Sequence, residues 1–284
     1  LDLSRAKTIL ILSFLALNLF LGFRLWQSPE FLRAGGGLTS EEAAQAEEML
    51  STAGYELLVP IPRQIPRLSL LHVSRPPVQE ELWPRSFWGE DVLGEPVYES
   101  GLILYSKGEE SLEVAANGLI IFRSTKPMES QAGTDDNRSI VEKFMRDRHV
   151  WQENLRFDYN FREGEYMSYR YLQSYQGFPL FTSYVECRVA EGYVRETRLY
   201  HIIPLGFSDK EIQVVSAAEA VDTFIQQQRI NFKEKKIVDI SLGYYSQDYD
   251  AERWEMVPVW RIAATDGAVF YVNAFTGERE PLEH

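Results

Sequence analysis

With one cysteine, four histidines and a single long apolar run in 284 residues, the chain is defined first by what it lacks. The lone Cys187 excludes an intramolecular disulfide framework. No histidine or second cysteine lies near it in sequence, so within TSYVECRVA it reads as a buried, inert thiol on a strand. His72, His149, His201 and His284 are widely separated, and HVWQE after His149 lacks the second histidine of a metalloprotease helix. Surface or packing roles are expected for all four. No phosphate cradle and no nucleophile paired with a base stands out.

The run Asp248-Tyr249-Asp250-Ala251-Glu252 begins like a calcium loop. Arg253 then occupies the position where Gly makes the turn, and Val259 the position where Glu must ligate, so an acidic hairpin loop is expected instead. Asp135 and Asp136 sit in polar SQAGTDDN, where solvation is the expected state. Basic patches with interleaved aromatics are missing too. The net charge is -13, which repels phosphate backbones and argues against nucleic acid as a partner. No catalytic residue, metal site or cofactor is expected.

The one apolar run is Thr8–Trp26, TILILSFLALNLFLGFRLW. At about 1.5 Å rise per residue its length is near that of a bilayer's hydrocarbon core. Arg5 and Lys7 precede it, so the positive-inside rule keeps residues 1–7 in the cytoplasm and exports the chain beyond Trp26. The flank GFRLWQSPEF offers no small-x-small cleavage site, which favours an uncleaved, single-pass anchor in the cell membrane with an extracellular domain. Asn18 near mid-span needs a polar neighbour, and Gly22 lies on the same face with Leu15 and Ile11. That face is the candidate partner-binding site.

Residues 27–38 hold a proline and three consecutive glycines and read as a linker. Beyond residue 33 the chain carries 25 Lys and Arg against 40 Asp and Glu, so the exported part is strongly acidic. Thr39 or Ser40 can cap a helix through EEAAQAEEML that Gly54 stops. Short strands come next, at about 55–59 and 68–73. Residues 75–96, with four prolines and two tryptophans, read as a long loop in which Trp83 and Trp88 cover a core edge. Strands at about 97–106, 111–116 and 119–123, with Lys107-Gly108 and a type I′ Asn117-Gly118 as turns, form an antiparallel meander.

A helix-then-sheet plan appears twice more. Helical spacing at 139–151 precedes strands near 155–161, 166–175, 181–190 and 193–203. A second helical segment at 216–230 precedes strands near 237–245, 257–264 and 268–273. The expected fold is α+β: 39–130 as one extracellular unit and 131–284 as repeats standing side by side, each helix covering one sheet face while the other stays solvated. Tyr169, Tyr171 and Tyr175 share a strand face, where packing on cross-strand neighbours is favoured over ligand binding.

The opening SRAKTILILSFLALNLFLGFRLW, with Phe14-Leu15-Ala16-Leu17-Asn18-Leu19-Phe20-Leu21 at its heart, resembles the start of the YycI family. The likeness continues in GYELLVPIP (54–62), YRYLQSYQGFPLF (169–181) and VWRIAATDGAVFYVNAFTGE (259–278). The last segment also resembles PepSY modules, with Asp266-Gly267 as the hairpin turn and Gly277 closing the strand. The resemblance implies a non-enzymatic regulator of an essential two-component system. It would associate with the sensor histidine kinase WalK, also called YycG, and with YycH, through contacts in the bilayer. The alternative from the same residues is a PepSY-type inhibitor or chaperone of an exported peptidase.

Overall fold

The computed structural model describes residues 37–77, 82–89, 95–125, 137–227, 235–249 and 251–282, together with Phe14, Leu17 and Asn18. The first helix, α1 (Ser40–Thr52), is capped as its sequence requires: Thr39 Oγ1 accepts from Glu42 N–H, and the Glu42 carboxylate accepts from Thr39 N–H at 2.8 Å. Its acidic face is exposed, and Ala43, Ala46 and Leu50 are buried. Strands β1 (Glu56–Leu57), β2 (Arg67–Leu68) and β3 (Leu71–Ser74) follow.

Residues 75–96 are not all loop. A seven-residue helix, α2 (Leu82–Trp88), runs through them with Pro84 in its first turn, where a missing N–H costs nothing. No apolar period announces so short a helix. Phe87 stacks on Phe122 at 4.6 Å between ring centroids, and Trp83 and Trp88 pack against the same core, which bears out their covering role.

The expected strand over 97–106 is two strands, β4 (Val97–Glu99) and β5 (Leu102–Lys107). Ser100 and Gly101 both have positive φ (48° and 81°) and make a type I′ turn from a dipeptide less telling than Asn-Gly. Strands β6 (Glu110–Ala115) and β7 (Ile120–Ser124) complete the meander. The Asn117-Gly118 connection is present, but only Gly118 has positive φ, so it is not type I′.

Helix α3 (Asn137–Asp147) buries Val141, Phe144 and Met145. It is followed by β8 (Leu155–Glu163), β9 (Tyr166–Tyr175), β10 (Phe178–Ala190), β11 (Tyr193–Tyr200), β12 (Ile203–Phe207) and β13 (Ile212–Gln213). Helix α4 (Ala217–Gln226), capped by Ser216 and Glu219, leads into β14 (Lys236–Tyr245), β15 (Arg253–Ala264), β16 (Val269–Asn273) and β17 (Arg279–Glu280).

Fifteen of the strands form one sheet, ordered β12-β3-β15-β14-β10-β11-β7-β6-β5-β4, with β8 and β9 branching from β10, β16 and β17 from β15, and β1 from β14. Mixed α+β architecture is therefore observed. Two large cores lie along it. The first gathers Leu50 from α1, Leu71 and Val73 from β3, Phe224 from α4, and Trp260 and Ile262 from β15. The second gathers Phe87, Phe122, Phe144, Tyr171 and Val185.

The cores are not consecutive along the chain. β1 pairs in parallel with β14 through Glu56↔Lys236 and Leu57↔Ile237, and β3 pairs with β15. The polypeptide thus builds part of the first core, leaves to build the second, and returns. The two halves meet where β10 runs beside β14, with Leu180 opposite Tyr244. That approach depends on Gly243: a Cβ there would lie 2.6 Å from the Pro179 carbonyl oxygen and 2.7 Å from the Phe181 ring.

One expectation about the faces is overturned. The second face of the C-terminal strands is not solvated: Val259 and Tyr271 pack with Leu172 and Phe181 in a third cluster, and Phe161 of β8 lies against Gly267. The β8–β9 hairpin supplies this cover, a tertiary contact no local pattern encodes.

Candidate functional site

Of the face expected to bind a partner, Asn18 is helical with an exposed side chain, as are Phe14 and Leu17. Ile11, Leu15 and Gly22 lie outside the described residues. Among the described residues no helix is long and apolar enough to cross a membrane.

The reactive side chains weighed in the sequence are held in structural settings. Cys187 is fully buried, its Sγ 3.5 Å from Thr197 Oγ1, and burial pushes its thiol pKa up to about 12. His201 is lowered to about 4 by burial. His72 is half-buried, its Nδ1 3.5 Å from the Glu255 carboxylate. Tyr169 and Tyr171 belong to the second core, and Tyr175 packs against the first. Burial is the main cause that raises the Tyr171 hydroxyl pKa, with Glu142 adding to it. The 248–252 segment does join β14 to β15. Asp248 there is a tie point: its carboxylate accepts from Arg75 (2.6 Å), Tyr200 OH (3.0 Å) and Asn117 (3.0 Å), three separate parts of the chain. No group of His, Cys, Asp and Glu that could hold a metal occurs among the described residues.

The site with the most chemistry is the face of β6, β7, β11, β10 and β9 opposite α3. Strand register sets it out: Ser111 faces Arg123, Arg123 faces Glu196, Glu196 faces Arg188, and Arg188 faces Ser168, while Arg198, Glu186 and Arg170 form the adjoining row. Alternation puts these side chains on one face and Phe122, Val185, Cys187, Tyr169 and Tyr171 on the other. Glu196 is the centre. It accepts from Arg123 Nε at 2.9 Å and Arg198 Nε at 2.7 Å, and Arg188 stands 3.6 Å away. Burial opposes its ionisation, but Arg123 and Arg198 outweigh burial and hold the carboxyl below its ordinary range. Arg123 also bonds Glu113, and Arg170 bonds Glu186 at 3.2 Å.

Toward the C-terminal strands the same pattern becomes buried. Arg261 of β15 donates twice to Asp158 of β8, at 2.7 and 2.6 Å, and its Nε donates to Asp239 at 2.9 Å. The Arg261 and Asp158 side chains are each 6% exposed. Burial opposes the guanidinium charge, yet Asp158 and Asp239 more than offset it and push the Arg261 pKa up. The planar guanidinium over Phe181, at 4.6 Å, completes a clamp between the C-terminal sheet and the β8–β9 hairpin.

At its other end the ladder opens into a cleft of about 710 Å³ between the β8–β9 and β10–β11 turns and the β5–β6 turn. Sequence reading missed the ladder. The signal was there: Glu186 and Arg188 in VECR, and Glu196 and Arg198 in RETR, are charges two residues apart, the period of a strand with one solvated face. Which Arg meets which Glu depends on register across strands far apart in sequence.

Helices on one face of a largely antiparallel sheet, with interleaved ion pairs on the other, define an α+β sheet-and-helix domain. Residues 103–275 match the family model described as YycI protein, more than half of the chain, and the chain belongs to that family. No curated protein matches it. Among solved structures, an uncharacterized protein from Eubacterium rectale is similar over 76% of this chain and 87% of its own, at 10% identity and a TM-score of 0.50. The Bacillus megaterium YpeB C-terminal domain aligns with 88% of this chain and 98% of its own, at 13% identity and a TM-score of 0.38.

Proposed function

We propose that this chain is a membrane-anchored regulatory protein, not an enzyme, that modulates the sensor histidine kinase WalK/YycG of a cell-envelope two-component system, acting with a YycH-like protein. Membership of the YycI family over residues 103–275 is the observation that carries this reading. The sequence supports the location: one apolar run over 8–26, led by Arg5 and Lys7, suits a single span with a cytoplasmic N-terminus and an extracellular domain. Asn18 with Gly22, Leu15 and Ile11 on one face supplies the bilayer contact, since a buried amide gains most from a neighbouring helix. A helix contact of this kind shifts the kinase between states according to which state it binds better.

Co-purification tests the proposal. Kinase association is expected to survive deletion of residues 39–284 and to fail when 8–26 is replaced by an unrelated span; the reverse pattern overturns it. Replacing Asn18 and Gly22 together with Leu should preserve membrane insertion and weaken association. Unchanged association would reduce the helix to a tether.

A further inference from the structure

We infer that the cleft between Pro76-Pro77 and the start of β15 is a binding site for a short peptide that sets one aliphatic side chain into an apolar pocket and its terminal carboxylate against Arg253. Two prolines make the cleft. Strand β3 is followed by one more ladder bond, from Arg75 N–H to the Glu252 carbonyl at 3.0 Å. Pro76 and Pro77 have no N–H to continue it, and the sheet opens there. To one side of the prolines is a pocket of about 90 Å³ walled by Leu82, Trp83, Val114 and Ile120, with His201 its one ionisable side chain. To the other is a wider cleft of about 560 Å³ that carries Ser74, Glu252 and Arg253, a volume within the roughly 300–1,000 Å³ of small-ligand sites. Pro76 and Pro77 line both, so the two adjoin.

The groups that would hold the ligand are not engaged within the protein. His201 is half-buried, and among the described residues its imidazole makes no hydrogen bond, ion pair or ring contact. Burial lowers its pKa to about 4, so at neutral pH the ring offers one donor and one acceptor. A polar side chain that lines an apolar pocket without a partner is uncommon. Arg253 is exposed and, among the described residues, has no ion pair, in a chain whose net charge is -13. Arg75 is on the same wall but is taken by Asp248 and the Tyr249 carbonyl, which leaves Arg253 to receive an anion.

Size and spacing set the ligand. The small pocket is below the roughly 150 Å³ that takes a benzene ring, so it suits one branched aliphatic side chain. Arg253 and Ile203 both lie opposite Ser74 in register, and His201 is two residues before Ile203. At ordinary strand spacings Arg253 and His201 are therefore about 12 Å apart, near the roughly 10 Å that three extended residues span. Ser74 and Glu252 along that path can bond peptide amides, for which a plain acyl chain has no counterpart. The inference is independent of kinase regulation, because binding in the cleft and association in the membrane are read separately.

The test is calorimetric titration of the full chain in detergent micelles with acetyl-Leu-Ala-Ala, its carboxylate free, and with protein-free micelles as the blank. The same peptide ending in an amide removes the charge, acetyl-Ser-Ala-Ala removes the aliphatic group, and octanoate keeps both but lacks peptide amides. Saturable binding of acetyl-Leu-Ala-Ala is expected, weakened about tenfold or more for the amide, for the Ser peptide and in Arg253→Met. Arg253 is exposed, so that variant should keep its urea midpoint. The ring-nitrogen resonances of His201 should shift as the peptide saturates. No saturable binding, equal binding of the amide or the Ser peptide, octanoate binding as tightly as the peptide, full affinity in Arg253→Met, or His201 resonances that do not move each overturns the assignment.

Discussion

The C-terminal strands β14–β16 and the central strands β9–β11 belong to one sheet, yet they treat their second face in opposite ways. From Met256 to Ala263 in β15 the side chains are buried or nearly so on both faces, because helices cover one and the β8–β9 hairpin covers the other. In β11, YVRETRLY alternates between the second core and the Arg–Glu ladder. The same Arg–carboxylate chemistry therefore acts under two regimes. Around Glu196 water screens the pairs, and each is worth on the order of 0–1 kcal/mol. Around Arg261 water is excluded, and the pair is a condition of packing rather than a bonus: removing one partner strands the other. Burial, not the identity of the pair, sets its importance.

The largest expected effect breaks the buried clamp. Arg261→Met leaves Asp158 inside without its bidentate partner and should cost about 3–5 kcal/mol, read as a fall in the urea midpoint. Arg261→Met with Asp158→Leu should regain most of that loss. If the single variant costs no more than Glu196→Gln, the two regimes are the same and the contrast fails.

Next is the joint itself. Gly243→Ala puts a methyl against Pro179 and Phe181 and should cost about 1–3 kcal/mol by overpacking. Hydrogen exchange should quicken first along β10 and β14; uniform quickening would mean that the halves do not meet at a discrete joint.

A pH scan separates the regimes further. His201 lies between β11 and β12, where the chain crosses from the second core to the first, and its pKa falls from 6.5 to about 4. The unfolded chain takes up that proton first, so stability present above pH 6.5 is lost as pH falls toward 4. His201→Gln should flatten this limb of the urea midpoint against pH. The smallest effect is on the open ladder. Because Glu196 is held below its ordinary 4.5, its contribution is present above that pH and lost on further acidification, and Glu196→Gln should remove only this lower limb. A loss on acidification as large as the cost of breaking the Arg261–Asp158 pair would place the ladder in the buried regime.

Much of this fold was readable from one dimension. Thr39 and Ser216 announce α1 and α4 by capping boxes, and alternation marks β9, β10 and β11. Short elements were not: α2 makes two turns and carries no period, and Ser100-Gly101 hid a hairpin inside what reads as one strand. The ladder's residues were visible as charges but not as partners.

The sequence by itself determined the character of the molecule: one cysteine that packs, an acidic chain with one apolar run, helices with their caps, and strands with a dry and a wet side. These properties come from local propensity and periodicity, which need only neighbours. Tertiary structure alone decided that β1 and β3 return to the C-terminal strands, that β8–β9 closes over Arg261, and that Arg123 of a distant strand joins Arg188 and Arg198 at Glu196. Such contacts join residues far apart in the chain, and their register is set by packing that exists only once the whole sheet has formed.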